Sequence, residues 1–151
     1  MKTNMDNSKN LKKFEIIANE TYFEKIKINS SSNARDVIMA FYHDDIEIYE
    51  SFFILMLNRA NITIGYAKIS QGGITGTVVD KRIIFKYAIE SLASSIILAH
   101  NHPSGNLVPS NEDITLTKSI VEGAKILDIN IHDHLILSKT GYFSMKDEQI
   151  I

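Results

Sequence analysis

The sequence predicts one mixed α/β domain, three-layer-like, with a central sheet flanked by helices, and three observations carry that prediction. Short apolar runs of strand length recur at residues 52–57, 95–99 and 129–137. Between them lie stretches with apolar residues at helical spacing, at 81–93 and 111–127. Finally, 151 residues with 44% hydrophobic content suffice for one core, and no repeat or long linker divides the chain.

Taken in order, residues 1 to about 13 are polar and aperiodic and are expected to be disordered. Residues 1–29 read as a tail and lead-in, with a short strand or extended segment at 21–28, and the domain is expected over 30–151. Ser30, Ser31, Ser32 and Asn33 offer N-caps for a helix from Ala34 to about Tyr42. A strand from Glu47 to Leu57, a turn at 58–61 and a strand from Ile62 to Ile69 make a hairpin. The glycine-rich stretch 71–76 lacks the Lys-Ser/Thr ending of a phosphate loop, so its glycines are read as backbone flexibility and close approach. Asp80 caps a helix from Lys81 to about Ala93, with Ile84, Tyr87, Ala88, Ser91 and Leu92 as its inward stripe. A strand ending at the histidines follows, then a helix from Ser110 to about Asp128 that buries Ile114, Thr117, Ile120, Val121, Ala124 and Leu127. Strands over 129–137 and 142–145, joined by a turn at 139–141, complete the chain.

Composition excludes several function classes. Without cysteine there are no disulfides, no thiolate catalysis and no Cys-based zinc sites. A net charge of -2 and a pI near 6.2 offer no general attraction to nucleic acid, which would need a local patch. Lys2, Lys9, Lys12 and Lys13 are mixed with Asp6 and Glu15 and read as a solvated tail. The first thirteen residues lack the apolar core of a signal peptide and no run reaches membrane-span length, so a soluble cytoplasmic protein with no membrane partner is expected.

Chemistry concentrates between His100 and Asp113. His100 and His102 end a strand and share a face, and Asp113 occupies the third position of a helix whose N-cap is Ser110. Ser110 to Asp113 is also a plain capping box, which needs no metal. That alternative leaves both histidines unexplained, whereas one metal ion explains the histidines and the acid together. Two imidazoles and a carboxylate suit Zn2+ and leave a fourth position for water. Hydrolysis also needs a base that is not a ligand. Glu50 alternates with Phe52, Ile54 and Met56 and would share their inward face, where an acid must be paired, neutralised or functional. A carboxylate at a wet strand end is the other reading of Glu50, and Glu47 is a weaker candidate base.

His100, His102, Ser110 and Asp113 reproduce the H-x-H, seven residues, S-x-x-D signature and so resemble the JAMM (MPN-plus) metalloprotease superfamily. The wider text, Ala99 to Gly105 with Pro109-Ser110 and later Asp133-His134-Leu135-Ile136, is similar to the bacterial RadC family within it, from about Ser30 to the C-terminus. The resemblance implies a JAB/MPN, cytidine-deaminase-like fold and assigns His100, His102 and Asp113 as zinc ligands. It implies that Ser110 hydrogen-bonds the developing oxyanion, a contact worth about 3 kcal/mol in other enzymes. It makes Glu50, in Tyr49-Glu50-Ser51-Phe52, the preferred general base. The substrate class it implies is a peptide or isopeptide-linked protein. Longer relatives carry a DNA-associated helix-hairpin-helix region for which the roughly 30 preceding residues leave too little room, so the DNA-repair label of the family is expected to transfer poorly.

His132 and His134 share a strand face but lack a third ligand, and Asp133 and His134 are expected to support the metal ligands or the packing. Asn101 and Ser104 are expected to shape the loop over the site, and His43 to sit at a solvated helix end. Two competing functions remain at this level: a non-catalytic module of repair or mobile-element biology that keeps the metal for structure, and a metal-dependent phosphoesterase or nuclease. The second commonly needs two ions and more carboxylates, and only Glu112 adjoins Asp113.

Overall fold

Seven consecutive buried residues, Ser51–Leu57, form the strand that organises the molecule. The computed structural model describes residues 11–73 and 76–151. Its elements run α1 (Ser31–Met39), β1 (Ser51–Leu57), β2 (Thr63–Gln71), α2 (Lys81–Glu90), β3 (Ser95–Asn101), α3 (Asn111–Ile126), β4 (Asn130–Leu137) and β5 (Tyr142–Ser144). The sheet order is β2-β1-β3-β4-β5. All neighbours are antiparallel except β3 and β4, whose parallel pairing requires a crossover, supplied here by α3.

Alternation along β1 divides the core into two layers. Phe53, Leu55 and Leu57 point to one face and pack with Ala34 and Ile38 of α1, together with Ile97, Ala99, Leu135 and Leu137. Phe52, Ile54 and Met56 point to the other face, with Ile84 and Ala88 of α2 and Ile120 and Ala124 of α3. Helices on both faces of a mixed sheet give the expected α/β layering. Each fully buried aliphatic side chain in these layers contributes about 1.5–3 kcal/mol. Because β1 and β3 are covered on both faces, their sequences read as continuous apolar runs.

Several boundaries differ from expectation for local reasons. The first strand begins at Ser51, not Glu47, because the Asp45 carbonyl accepts the N–H groups of Ile48 and Tyr49 and closes a turn. The first helix starts at Ser31 because Ser30 is the residue whose hydroxyl caps it, accepting from the Asn33 N–H. The second helix stops at Glu90, and Leu92 does not join its inward stripe. Leu92 takes φ 55° and is 86% exposed, while the Ala93 N–H reaches back to the Ala88 carbonyl to close the helix end. Leu127 is likewise mostly outside the core, because Asp128 turns the chain with φ 55°.

Residues 11–20 have no regular secondary structure, and the expected tail disorder at 1–10 lies outside the described residues. The 21–28 segment is an extended lead-in that touches the start of β2 through Lys27 and Ile62. Of the glycine-rich stretch, 74 and 75 lie outside the described residues. Gly72 shows the close approach expected, since a Cβ there would fall 1.8 Å from the Gly76 carbonyl oxygen. No helix among the described residues is long and apolar enough to cross a membrane.

Candidate metal centre

β3 lies between β1 and β4, and its C-terminal end delivers the histidines. His100 pairs with Phe52 of β1 and Ile136 of β4, so its backbone is held from both sides. The His102 N–H continues the ladder by donating to the Leu137 carbonyl, 2.9 Å away. Asp113 arrives from the opposite direction on the first turn of α3. Ser110 Oγ accepts from the Asp113 N–H at 3.0 Å, and Asp113 Oδ2 accepts from the Ser110 N–H at 2.7 Å. The capping box and the acidic ligand position are therefore one structure, and the cap aims the carboxylate.

His100 Nε2 lies 3.0 Å from His102 Nε2, 3.3 Å from Asp113 Oδ1, and His102 Nε2 lies 3.6 Å from Asp113 Oδ2. A tetrahedral zinc with bonds of about 2.0–2.1 Å holds its ligand atoms roughly 3.3 Å apart. The donor set thus has the spacing of metal ligands before any ion is considered. Its protonation fits as well. The His102 Nδ1–H donates to the Asn106 carbonyl oxygen at 2.5 Å, which leaves Nε2 of the neutral ring as a lone pair facing the group. Among the described residues, His100, His102 and Asp113 could hold a metal ion.

Electrostatics follow from this convergence. Burial alone would raise the Asp113 carboxyl, but His100 and His102 beside it hold it far below the usual carboxylate range. Asp113 in turn raises His102, against the opposing effect of burial. Glu50 is half-buried at the residue before β1. Burial raises its carboxyl, the charges of His100 and His102 lower it, and the charge of Asp113 raises it further. Glu50 therefore sits within the field of His100, His102 and Asp113 without belonging to their group.

Two backbone bonds seat Glu50: the Gly72 N–H donates to its carbonyl at 2.8 Å, and its N–H donates to the Gly73 carbonyl at 3.3 Å. Asn101, fully buried between His100 and His102 in sequence, points to the other face and holds the approach to Glu50. Its amide donates to the carbonyls of Ile46 and Tyr49, and its Oδ1 accepts from the Ser51 N–H. Ser110 remains exposed at the mouth of the site, and since its oxygen accepts from Asp113, its own proton is free to donate outward.

The remaining polar residues divide by strand face. His134 is fully buried, 2.7 Å from His100, and burial pushes its imidazole well below the ordinary value. Asp133, on the other face, accepts from Ser144 Oγ at 2.6 Å and from the backbone N–H groups of His134 and Lys146. His132 lies away from the ligands and meets Asn61 at 2.9 Å, beside a cavity of about 540 Å³. His43 is exposed. Sequence reasoning missed Phe52 and Thr117 as site residues. Phe52 stacks flat on His100 at 5.9 Å between ring centroids, and Thr117 contacts His134. Thr117 had a visible signal, a polar side chain on the buried stripe of α3, one turn after Asp113.

A sheet covered by helices on both faces, with a convergent His-His-Asp group at the end of a central strand, fits the class of metal-dependent hydrolases. The chain belongs to the RadC-like JAB domain family, whose profile matches residues 28–150. It is 49% identical over 102 residues to a UPF0758 protein of Flavobacterium johnsoniae, covering 68% of this chain and 44% of that protein. It is 36% identical over 131 residues to a UPF0758 protein of Clostridium acetobutylicum, covering 85% and 56% respectively. A UPF0758 protein of Salinibacter ruber is 36% identical over 129 residues, covering 85% and 54%. The chain spans about half the length of the curated relatives it matches.

Proposed function

We propose that the domain is a zinc-dependent peptidase or isopeptidase in which His100, His102 and Asp113 hold the ion and Glu50 is the general base. The observation that carries this reading is the placement of Glu50 in the field of the three ligands but outside their group. A divalent ion held there would supply Lewis acidity, activating water at neutral pH and polarising a carbonyl. Glu50, its carboxyl raised by burial, takes a proton from the attacking water and passes it to the leaving amine. Ser110 donates its free hydroxyl proton to the oxygen of the attacked carbonyl. Asn101 holds the turn that presents Glu50, so the base keeps its distance from the reacting atoms.

The substrate is an amide, in a peptide or in an isopeptide-linked protein. Phosphoester chemistry is less well supported, since two-ion sites need a second ligand set and the described residues contain one such group. The cysteine-free composition is compatible with a cytoplasmic location, and the acidic pI gives no support to nucleic acid as a partner.

The test uses Glu50→Gln. Wild-type protein is expected to bind about one Zn2+ per chain and to cleave members of a panel of peptides and lysine-linked isopeptides. Glu50→Gln should keep the metal and lose cleavage by at least about 100-fold, within the range general bases supply. Metal retention with wild-type cleavage in Glu50→Gln would remove Glu50 as the base. Absence of Zn2+ uptake by the wild type would sink the whole reading.

A further inference from the structure

The metal reading leaves one buried polar chain unused. It begins at His100 Nδ1, crosses the fully buried His134 and the fully buried Thr117, and ends on the backbone carbonyl of Asp113. Both ends of the chain are therefore residues of the ligand group.

The directions of its hydrogen bonds follow from counting protons. Thr117 Oγ1 lies 2.6 Å from the Asp113 carbonyl oxygen, and a carbonyl can only accept. Two oxygens at that separation need a proton between them, and the only one available is the Thr117 hydroxyl proton. Thr117 thus has no proton left for His134 Nδ1, 2.5 Å away, and must accept from it. A neutral imidazole carries one N–H, so His134 Nε2 is a lone pair. That lone pair faces His100 Nδ1 at 2.7 Å and accepts its proton. His100 then has a hydrogen on Nδ1, so its neutral form carries the lone pair on Nε2, the atom that faces His102 and Asp113.

The opposite polarity would place an N–H on His100 Nε2, aimed into the ligand group, where it would exclude a cation. Phe52 limits the alternatives further. It lies parallel to the His100 ring, with 6° between planes and 5.9 Å between centroids, and meets His134 edge-on at 5.4 Å, so both imidazoles pack against it.

We propose that His134 is a positioning residue that sets the tautomer of His100, with Thr117 as the group that orients His134, and that this relay turns His100 Nε2 toward His102 and Asp113. The proposal rests on the metal reading of the site but concerns the protein without metal as well. His102 needs no such relay, because the Asn106 carbonyl serves it directly. His100 lies too deep for a loop carbonyl, being 1% exposed, and so a side-chain relay replaces one. The structural requirement also explains a polar Thr117 amid Ile120 and Ala124 on the buried stripe of α3.

The test combines spectroscopy with metal affinity on the full chain. Nitrogen-15 NMR of the metal-free wild type is expected to find His100 and His134 both protonated at Nδ1. Thr117→Val, which removes the acceptor, should move His134 toward the Nε2–H form. Zn2+ and Co2+ affinities, measured against a chromogenic chelator, should fall roughly 10- to 100-fold in His134→Phe, the range for loss of a ligand's outer hydrogen-bond partner. His134→Gln offers an amide oxygen to His100 and an amide N–H to Thr117 and should recover most of that loss. A His100 Nδ1 without a proton in the metal-free protein would overturn the relay, as would unchanged affinity in folded His134→Phe. If the wild type binds neither metal while its tautomers are as stated, the metal reading fails and the relay stands. If His134→Phe does not fold, the tautomers of the wild type and of Thr117→Val decide.

Discussion

Asn101 sits between His100 and His102 in sequence but faces away from them, and its amide spans three backbone groups of the turn before β1. Replacing it with alanine leaves the Ser51 N–H and the Ile46 and Tyr49 carbonyls without their partner. Asn101→Ala is expected to cost about 2 kcal/mol or more in urea unfolding, since each buried orphan costs roughly 1–3 kcal/mol. Cleavage should fall further than zinc affinity, because the displaced turn carries Glu50 and not a ligand. Nothing at sequence level could assign this role, as an asparagine between two histidines reads first as part of their loop. His132 supports a second expectation at this scale. Burial and then Lys146 depress its imidazole below the ordinary 6.5, partly offset by Asp133, so below that pH the unfolded chain takes a proton that the folded chain declines. Stability should therefore fall as pH drops through 6.5, and His132→Gln should lessen that slope in a melting-temperature profile, His134 contributing in the same direction.

The elements themselves were legible where one force acts. The inward stripes of α2 and α3 follow from helical spacing at Ile84 and Ala88 and at Ile120 and Ala124, because burial on one face requires that spacing. Boundaries depend on competing backbone bonds, which spacing does not encode. Glu47 joined a turn because the Asp45 carbonyl was available, and Leu92 left its helix because the Ala93 N–H found the Ala88 carbonyl. Leu92 holds a left-handed conformation that costs an L-residue about 1–2 kcal/mol and is free of strain for glycine. Leu92→Gly is thus expected to raise the urea midpoint, with a net gain of about 0.5–1 kcal/mol after glycine's greater chain entropy. A lower midpoint would mean that the exposed Leu92 side chain makes contacts that matter.

At the scale of the whole molecule, the ligand group ties the end of β3 to the start of α3, which are successive elements on one side of the sheet. An ion held by both would stabilise the fold by mass action, about 2.7 kcal/mol at a free concentration one hundred times the dissociation constant. Chelator treatment is therefore expected to lower the melting temperature and added Zn2+ to restore it. Asp113→Asn should melt at one temperature with or without chelator. A wild type indifferent to chelator would argue against a resident ion of useful affinity.

The amino-acid sequence by itself determined the layered α/β architecture, the inward face of β1 at Phe52, Ile54 and Met56, and the convergence of His100, His102 and Asp113, because periodic burial and a fourteen-residue spacing are local properties. Only the tertiary structure decided that Glu50 shares the field of those ligands, that Asn101 holds its turn and that His134 and Thr117 stand behind His100. The hydrogen-bonded pairs among them are separated by 17 to 55 residues, and they meet because sheet register and helix docking bring them together. A polar side chain on a buried stripe declares that it needs a partner; which partner it finds is settled by the packing of the elements.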